Sequence, residues 1–164
     1  MISTLRRVAF CGLLVSATIA IAPIASAADF YGTEGQDNYT GTTSADTFHM
    51  KGGADVVQAL AGNDYIEMDE GPDTARGSAG ADEIHGGLGG TFENPDLLKG
   101  EDGNDLLYDT LDSNDYDVTC GGYLDDYSNI LDGDGLDFFF GGTGTDSWSK
   151  NANDYADVTV GCPI

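Results

Sequence analysis

Aspartate recurs at nine-residue intervals along this chain: Asp37, Asp46, Asp55, Asp64, Asp73 and Asp82 form one uninterrupted run. Two places before them stand Gly35, Ser44, Gly53, Gly62, Gly71 and Gly80, and two places after them Tyr39, Phe48, Val57, Ile66, Ala75 and Ile84. A carboxylate is a hard oxygen ligand, and a glycine-rich turn exposes backbone carbonyls of the same character. Calcium takes roughly six to eight such oxygens, so the spacing points to a cation held at turns. Aspartate also shapes turns unaided, and the same residues would fit a roll that binds little metal.

The elements that must place these carboxylates follow from the period. Glycine enters left-handed backbone conformations that other residues resist, so the first six residues of each unit suit a tight turn. The last three are long enough for one minimal strand, with the apolar residue turned inward. No hairpin signal recurs, and glycine density with no 3.6-residue period excludes helix. Stacked units predict an all-β fold, a parallel β-roll (right-handed β-solenoid) with two repeats per coil and a thin shared core. Turns eighteen residues apart then lie on the same edge. One edge reads Asp37, Asp55, Asp73 and Asp96; the other reads Asp46, Asp64, Asp82 and Asp105. Stacked carboxylates repel without a cation, which couples metal binding to folding.

The register is regular over residues 30–108, except for a five-residue insertion around Thr91 to Pro95 that delays Asp96 and Leu98. Residues 109–129 read as irregular. Repeats return over 130–149 (Gly135, Asp137, Phe139; Gly144, Asp146, Trp148), and 150–164 closes the chain. Asp137 and Asp146 have no aspartate eighteen residues away, so the columns are expected to fray past Asp105, with the best sites between residues 35 and 82.

The amino terminus has a separate design. Arg6 and Arg7 precede an uncharged apolar run from Val8 to Ile24, and Ala25-Ser26-Ala27 supplies the small residues of a cleavage site. Residues 1–27 therefore read as a signal peptide and 28–164 as one mature domain, secreted and extracellular, with no membrane insertion after cleavage. The whole chain carries 29 acidic and 6 basic residues, a net charge of −23. Losing the two leader arginines takes the net charge to about −25, which excludes nucleic acid and anionic lipid as partners. Forty per cent hydrophobic residues argue against an acidic disordered tail.

Units such as Gly77-Ser-Ala-Gly-Ala-Asp-Glu-Ile-His85 and Gly141-Gly-Thr-Gly-Thr-Asp-Ser-Trp-Ser149 resemble the haemolysin-type (RTX) calcium-binding nonapeptide, Gly-Gly-x-Gly-x-Asp-x-apolar-x. The resemblance runs from about Gly32 to Ser149, with a gap over 109–129. It implies Ca2+ as the cofactor, with Asp37, Asp46, Asp55, Asp64, Asp73, Asp82, Asp96 and Asp105 and the turn glycines Gly35, Gly53, Gly62 and Gly80 as its ligands. The chain departs from the pattern where the paired first glycines are replaced, at Met50-Lys51, Ala59-Leu60 and Met68-Asp69, and where Pro72 enters a turn. These departures imply fewer ions than repeats.

Cys120 and Cys162 are the cysteines left after leader removal, and in a secreted chain a single pair reads as a disulfide. His49 and His85 fall at outward ninth places and read as solvated residues. Trp148 and Phe138-Phe139-Phe140 read as core and cap. No nucleophile elbow, zinc motif or phosphate loop is present, and a thin roll offers no cleft for a carboxylate pair. The expectation is a non-enzymatic, secreted calcium-binding module. The alternative is an adhesive or interaction scaffold with degenerate repeats, whose protein or cell-surface partner is open.

Overall fold

Each nine-residue unit becomes a short strand and a tight turn in a computed structural model of the chain, which describes residues 26–91, 93–109, 116–130, 137–150, 153–157 and 162. The charged and apolar stretches that read as a leader lie outside the described residues. Odd strands form one seven-stranded parallel sheet: β1 (Asp29–Tyr31), β3 (Thr47–His49), β5 (Tyr65–Glu67), β7 (Glu83–His85), β9 (Leu106–Tyr108), β11 (Tyr127–Ile130) and β13 (Ser147–Lys150). Even strands form the other: β2 (Asn38–Thr40), β4 (Val56–Gln58), β6 (Thr74–Ala79), β8 (Asp96–Asp102), β10 (Asp117–Tyr123), β12 (Phe138–Thr143) and β14 (Tyr155–Asp157). The chain alternates between sheets at every unit, so two units make one coil. This is the parallel β-roll that the period predicts, and no helix occurs among the described residues.

The register puts like places on top of one another. Phe30, Phe48 and Ile66 align in one sheet, and Tyr39, Val57 and Ala75 in the other. The eighth-place residues Phe48, Val57, Ile66, Ala75, Ile84, Leu98, Leu107 and Phe139 are fully buried between the sheets. Each large one contributes roughly 1.5–3 kcal/mol by leaving water, and no single unit could bury its own. Met50, Ala59 and Met68 also lie in this core. They stand where the repeat would have its first glycine, so the substitution fills core space instead of spoiling the turn. Their neighbours Lys51, Leu60 and Asp69 adopt the left-handed backbone of the second glycine, with φ of 77°, 83° and 66°. The turn thus keeps its shape without glycine, at a cost in strain.

Residues 116–130 are not irregular. β10 pairs with β8 and β12, and β11 pairs with β9 and β13, all in parallel register. Two polar residues hide this stretch from a search for apolar periodicity. Thr119 and Ser128 occupy the inward places, and their hydroxyls hydrogen-bond to each other across the core at 2.9 Å. Both are fully buried, and the mutual bond removes the desolvation cost of two lone hydroxyls. Phe139 is buried, while Trp148 stays 39% exposed against it at the open end.

Candidate metal centre

The carboxylates stack as two continuous columns with a repeating hydrogen bond. In one, the N–H of Asp37 donates to Oδ1 of Asp55, Asp55 to Asp73, Asp73 to Asp96, Asp96 to Asp117 and Asp117 to Asp137, at 2.6–3.0 Å. In the other, Asp46 donates to Asp64, Asp64 to Asp82, Asp82 to Asp105, Asp105 to Asp126 and Asp126 to Asp146 over the same range. The aspartates expected at one edge are therefore brought together in the expected order. One oxygen of each accepting aspartate, from Asp55 and Asp64 onward, is used to hold neighbouring coils in register.

The other oxygen is different. Oδ2 of Asp55, Asp64, Asp73, Asp82, Asp105, Asp126 and Asp146 is buried and has no hydrogen-bond partner among the described residues. Within a repeat it hangs over the first-place residue. A Cβ on Gly77 would collide with Oδ2 of Asp82, and one on Gly100 with Oδ2 of Asp105. Glycine there leaves space beside an anionic oxygen, and a buried anionic oxygen without a donor requires either a proton or a cation. For Asp55, Asp64, Asp73, Asp82, Asp105 and Asp126 burial is the main force raising the pKa, and adjacent carboxylates add to it. Asp73 is pushed up to about 7 and Asp126 to about 7, against the lowering effect of the N–H each accepts. Asp64, Asp82 and Asp105 are pushed up to about 6 by the same causes.

The turns supply neutral oxygens at close quarters. Gly80 has φ of 143°, and a Cβ there would run into the carbonyl oxygen of Gly62 one coil earlier. Gly62 and Gly53 stand in the same relation to the carbonyls of Ser44 and Gly35. Gly53, Gly62 and Gly80 thus lie in stacked turns, packed against carbonyls, while Gly35 heads its stack and offers the carbonyl that Gly53 meets. Hard oxygens of both kinds, spare negative charge and glycine-lined space fit a calcium ion and no softer metal.

Asp37 and Asp46 are placed at the column heads, where their Oδ2 atoms accept local donors: Asp37 accepts the Thr33 N–H (2.6 Å) and hydroxyl (2.9 Å), and Asp46 accepts the Thr42 N–H (2.5 Å). These two also close turns, as aspartate does on its own. Two expectations need revision. Asp137 and Asp146, expected to lack partners, are joined to Asp117 and Asp126 at separations of 20 residues. The columns accordingly do not fray past Asp105. A spacing of eighteen does not reach Asp117 and Asp126 because the coils lengthen, although the nine-residue interval from Asp117 to Asp126 is intact. Asp109 lies outside the repeat's aspartate places altogether. It is 3% exposed, in line with the buried Ile130 rather than with the columns, and offers a carboxylate oxygen within 4.8 Å of those of Asp96 and Asp117. Nothing in the repeat marks it.

His49 and His85 are half-buried, each bonded to a carboxylate: His49 Nδ1 to Glu67 at 2.7 Å and His85 Nε2 to Glu83 at 2.9 Å. Cys120 of β10 and Cys162 form the expected disulfide, with Cα atoms 5.5 Å apart. It fastens Cys162 to the second sheet at β10.

Parallel coils with stacked, buried aspartates at glycine-rich turns define a calcium-binding β-roll of nonapeptide repeats. The chain belongs to the RTX calcium-binding nonapeptide repeat family: its family model, of four repeat copies, matches residues 31–66, 69–90 and 93–116, together half of the chain. No curated protein and no solved structure matches it.

Proposed function

We propose that the chain is exported by its amino-terminal leader and takes up calcium outside the cell, with binding and folding forming one event, and that it acts by binding rather than by catalysis. The observation that carries this reading is the stack of buried Oδ2 atoms of Asp55, Asp64, Asp73, Asp82, Asp105 and Asp126, which have no hydrogen-bond partner among the described residues. Asp55, Asp64, Asp73, Asp82, Asp105 and Asp126 would hold the ions, with turn carbonyls completing the shell. Calcium supplies the positive charge that lets these carboxylates stay ionised in the folded coil. The chain's own contribution is to hold Oδ1 against the next coil, so that Oδ2 is pre-aimed. Circular dichroism and calorimetry of the leader-free chain, titrated with calcium and then with chelator, test it. A β signal and melting midpoint indifferent to both would sink the calcium reading. Mass spectrometry of culture medium tests export.

A second reading as an interaction scaffold is supported by one outward face. Tyr31, His49, Tyr65, His85, Tyr108 and Tyr127 follow one another along the first sheet, with successive ring centroids 4.8–6.3 Å apart. Binding to cell-wall material that survives in a Tyr65→Ala, Tyr108→Ala double variant would remove that support.

A further inference from the structure

Asp46 heads one column, and what stands above it is not another aspartate. Lower down, each carboxylate accepts the N–H of the aspartate one coil earlier. The residue eighteen places before Asp46 is Ala28, whose backbone nitrogen donates to Oδ1 of Asp46 at 2.8 Å. The carbonyl of Ala28 accepts the N–H of Thr47 at 2.9 Å, so Ala28 is held from both sides. Asp46 is only 2% exposed, and its remaining contacts are the Thr42 N–H on Oδ2 and the Thr42 hydroxyl on Oδ1 at 3.0 Å. Ser26 and Ala27, immediately upstream, are exposed. Ala28 is also the residue that directly follows the small-residue site Ala25-Ser26-Ala27.

We propose that removal of the leader between Ala27 and Ala28 converts this backbone amide into an α-ammonium seated on the Asp46 carboxylate, capping the column. The inference rests on the leader reading given above. A processing peptidase adds water across the Ala27–Ala28 bond: the water oxygen joins the Ala27 carbonyl carbon and the C–N bond breaks. The leader departs with a new carboxylate. The Ala28 nitrogen gains protons from the water and the solvent and is cationic at neutral pH, its ordinary pKa being roughly 7.7–8.0. An uncharged donor becomes a charged one without moving, and a charge-assisted hydrogen bond is about twice as strong as a neutral one. Positive charge then stands where the column would otherwise present one more carboxylate. The cleavage position is thereby tied to the repeat register: a mature chain one residue longer or shorter would lose the pair.

Both sheets lie wholly within residues 26–164, so chains with defined amino termini test the pair without relying on export. Two calcium-loaded proteins are compared, one beginning at Ala28 and one at Ser26, which keeps the amide. The Ala28 form should melt about 4 °C higher, the shift expected for a modest gain in a domain of this size. Nα-acetylation of the Ala28 form should abolish the difference, and Asp46→Asn should abolish it as well. Equal midpoints for the free and acetylated Ala28 forms overturn the ion pair, and this comparison decides alone if Asp46→Asn does not fold. Mass spectrometry of the exported full chain checks the leader separately: a mature terminus other than Ala28 overturns the proposal at the cleavage step.

Discussion

Stripped of metal, the roll should be an acid-stable protein, and calcium should invert that dependence. Asp64, Asp82 and Asp105 are pushed up to about 6, and Asp73 and Asp126 to about 7, from an unfolded value of 3.8. Folded values above the unfolded one mean that the folded chain binds more protons. The stability they contribute is complete below about pH 4 and is lost as the pH rises through 6–7. A carboxyl held two pH units above its reference opposes folding by ~2.7 kcal/mol once ionised. Water at the turn edges reduces this to about 1 kcal/mol each. Five such groups amount to ~5 kcal/mol, comparable with the whole stability of a typical domain. Calcium binds the ionised form, so the loaded roll gains stability over the same interval and releases protons as it loads. The assay is thermal melting by circular dichroism from pH 4 to pH 8, on metal-stripped and calcium-saturated protein in parallel. A metal-free midpoint that stays level or climbs across that range refutes the reasoning.

Other perturbations probe separate parts of the structure. Gly80→Ala drives a Cβ into the Gly62 carbonyl at φ 143°, so it should destabilise by more than ~2 kcal/mol in denaturant melts and weaken calcium uptake at adjoining turns. Ile66→Ala empties a fully buried core position; a loss of roughly 2–5 kcal/mol is expected, with calcium stoichiometry by calorimetry unchanged. Lys51→Gly releases an exposed residue from φ 77° and should raise the melting midpoint by a few degrees, about 1 kcal/mol. Reduction of Cys120–Cys162, which closes a separation of 42 residues, should lower stability by up to ~4 kcal/mol while leaving calcium binding in the first half intact.

The first four coils were legible because three signals coincide there: the aspartate, the glycine two places before it, and the inward residue two places after it. Periodic burial of Phe48, Val57, Ile66 and Ile84 follows directly from that coincidence. Legibility failed where one signal was replaced by a physically equivalent device. Met50, Ala59 and Met68 look like damaged turns but extend the core, because backbone stacking fixes the turn and leaves the first place free to point inward. Thr119 and Ser128 look like breaks in the core but satisfy each other. The Thr33 and Thr42 donors that occupy Asp37 and Asp46 are local, four residues away, and no count of aspartates reveals them. Asp109 was invisible for a different reason: it is known by its neighbours in space, Asp96 and Asp117.

The lengthening of the later coils is one-sided. Nine residues separate Asp96 from Asp105, Asp117 from Asp126 and Asp137 from Asp146. All the extra chain enters on the way from β7 to β8, β9 to β10 and β11 to β12, where the next column member lies 23, 21 and 20 residues on. One edge of the roll therefore works as an inextensible spine, and the opposite edge as a margin that takes up slack. Foreign peptide spliced into that margin should be carried as a pendant without shifting a rung, as the extra residues already are. The molecule is a ladder that its own sequence has decorated from one side.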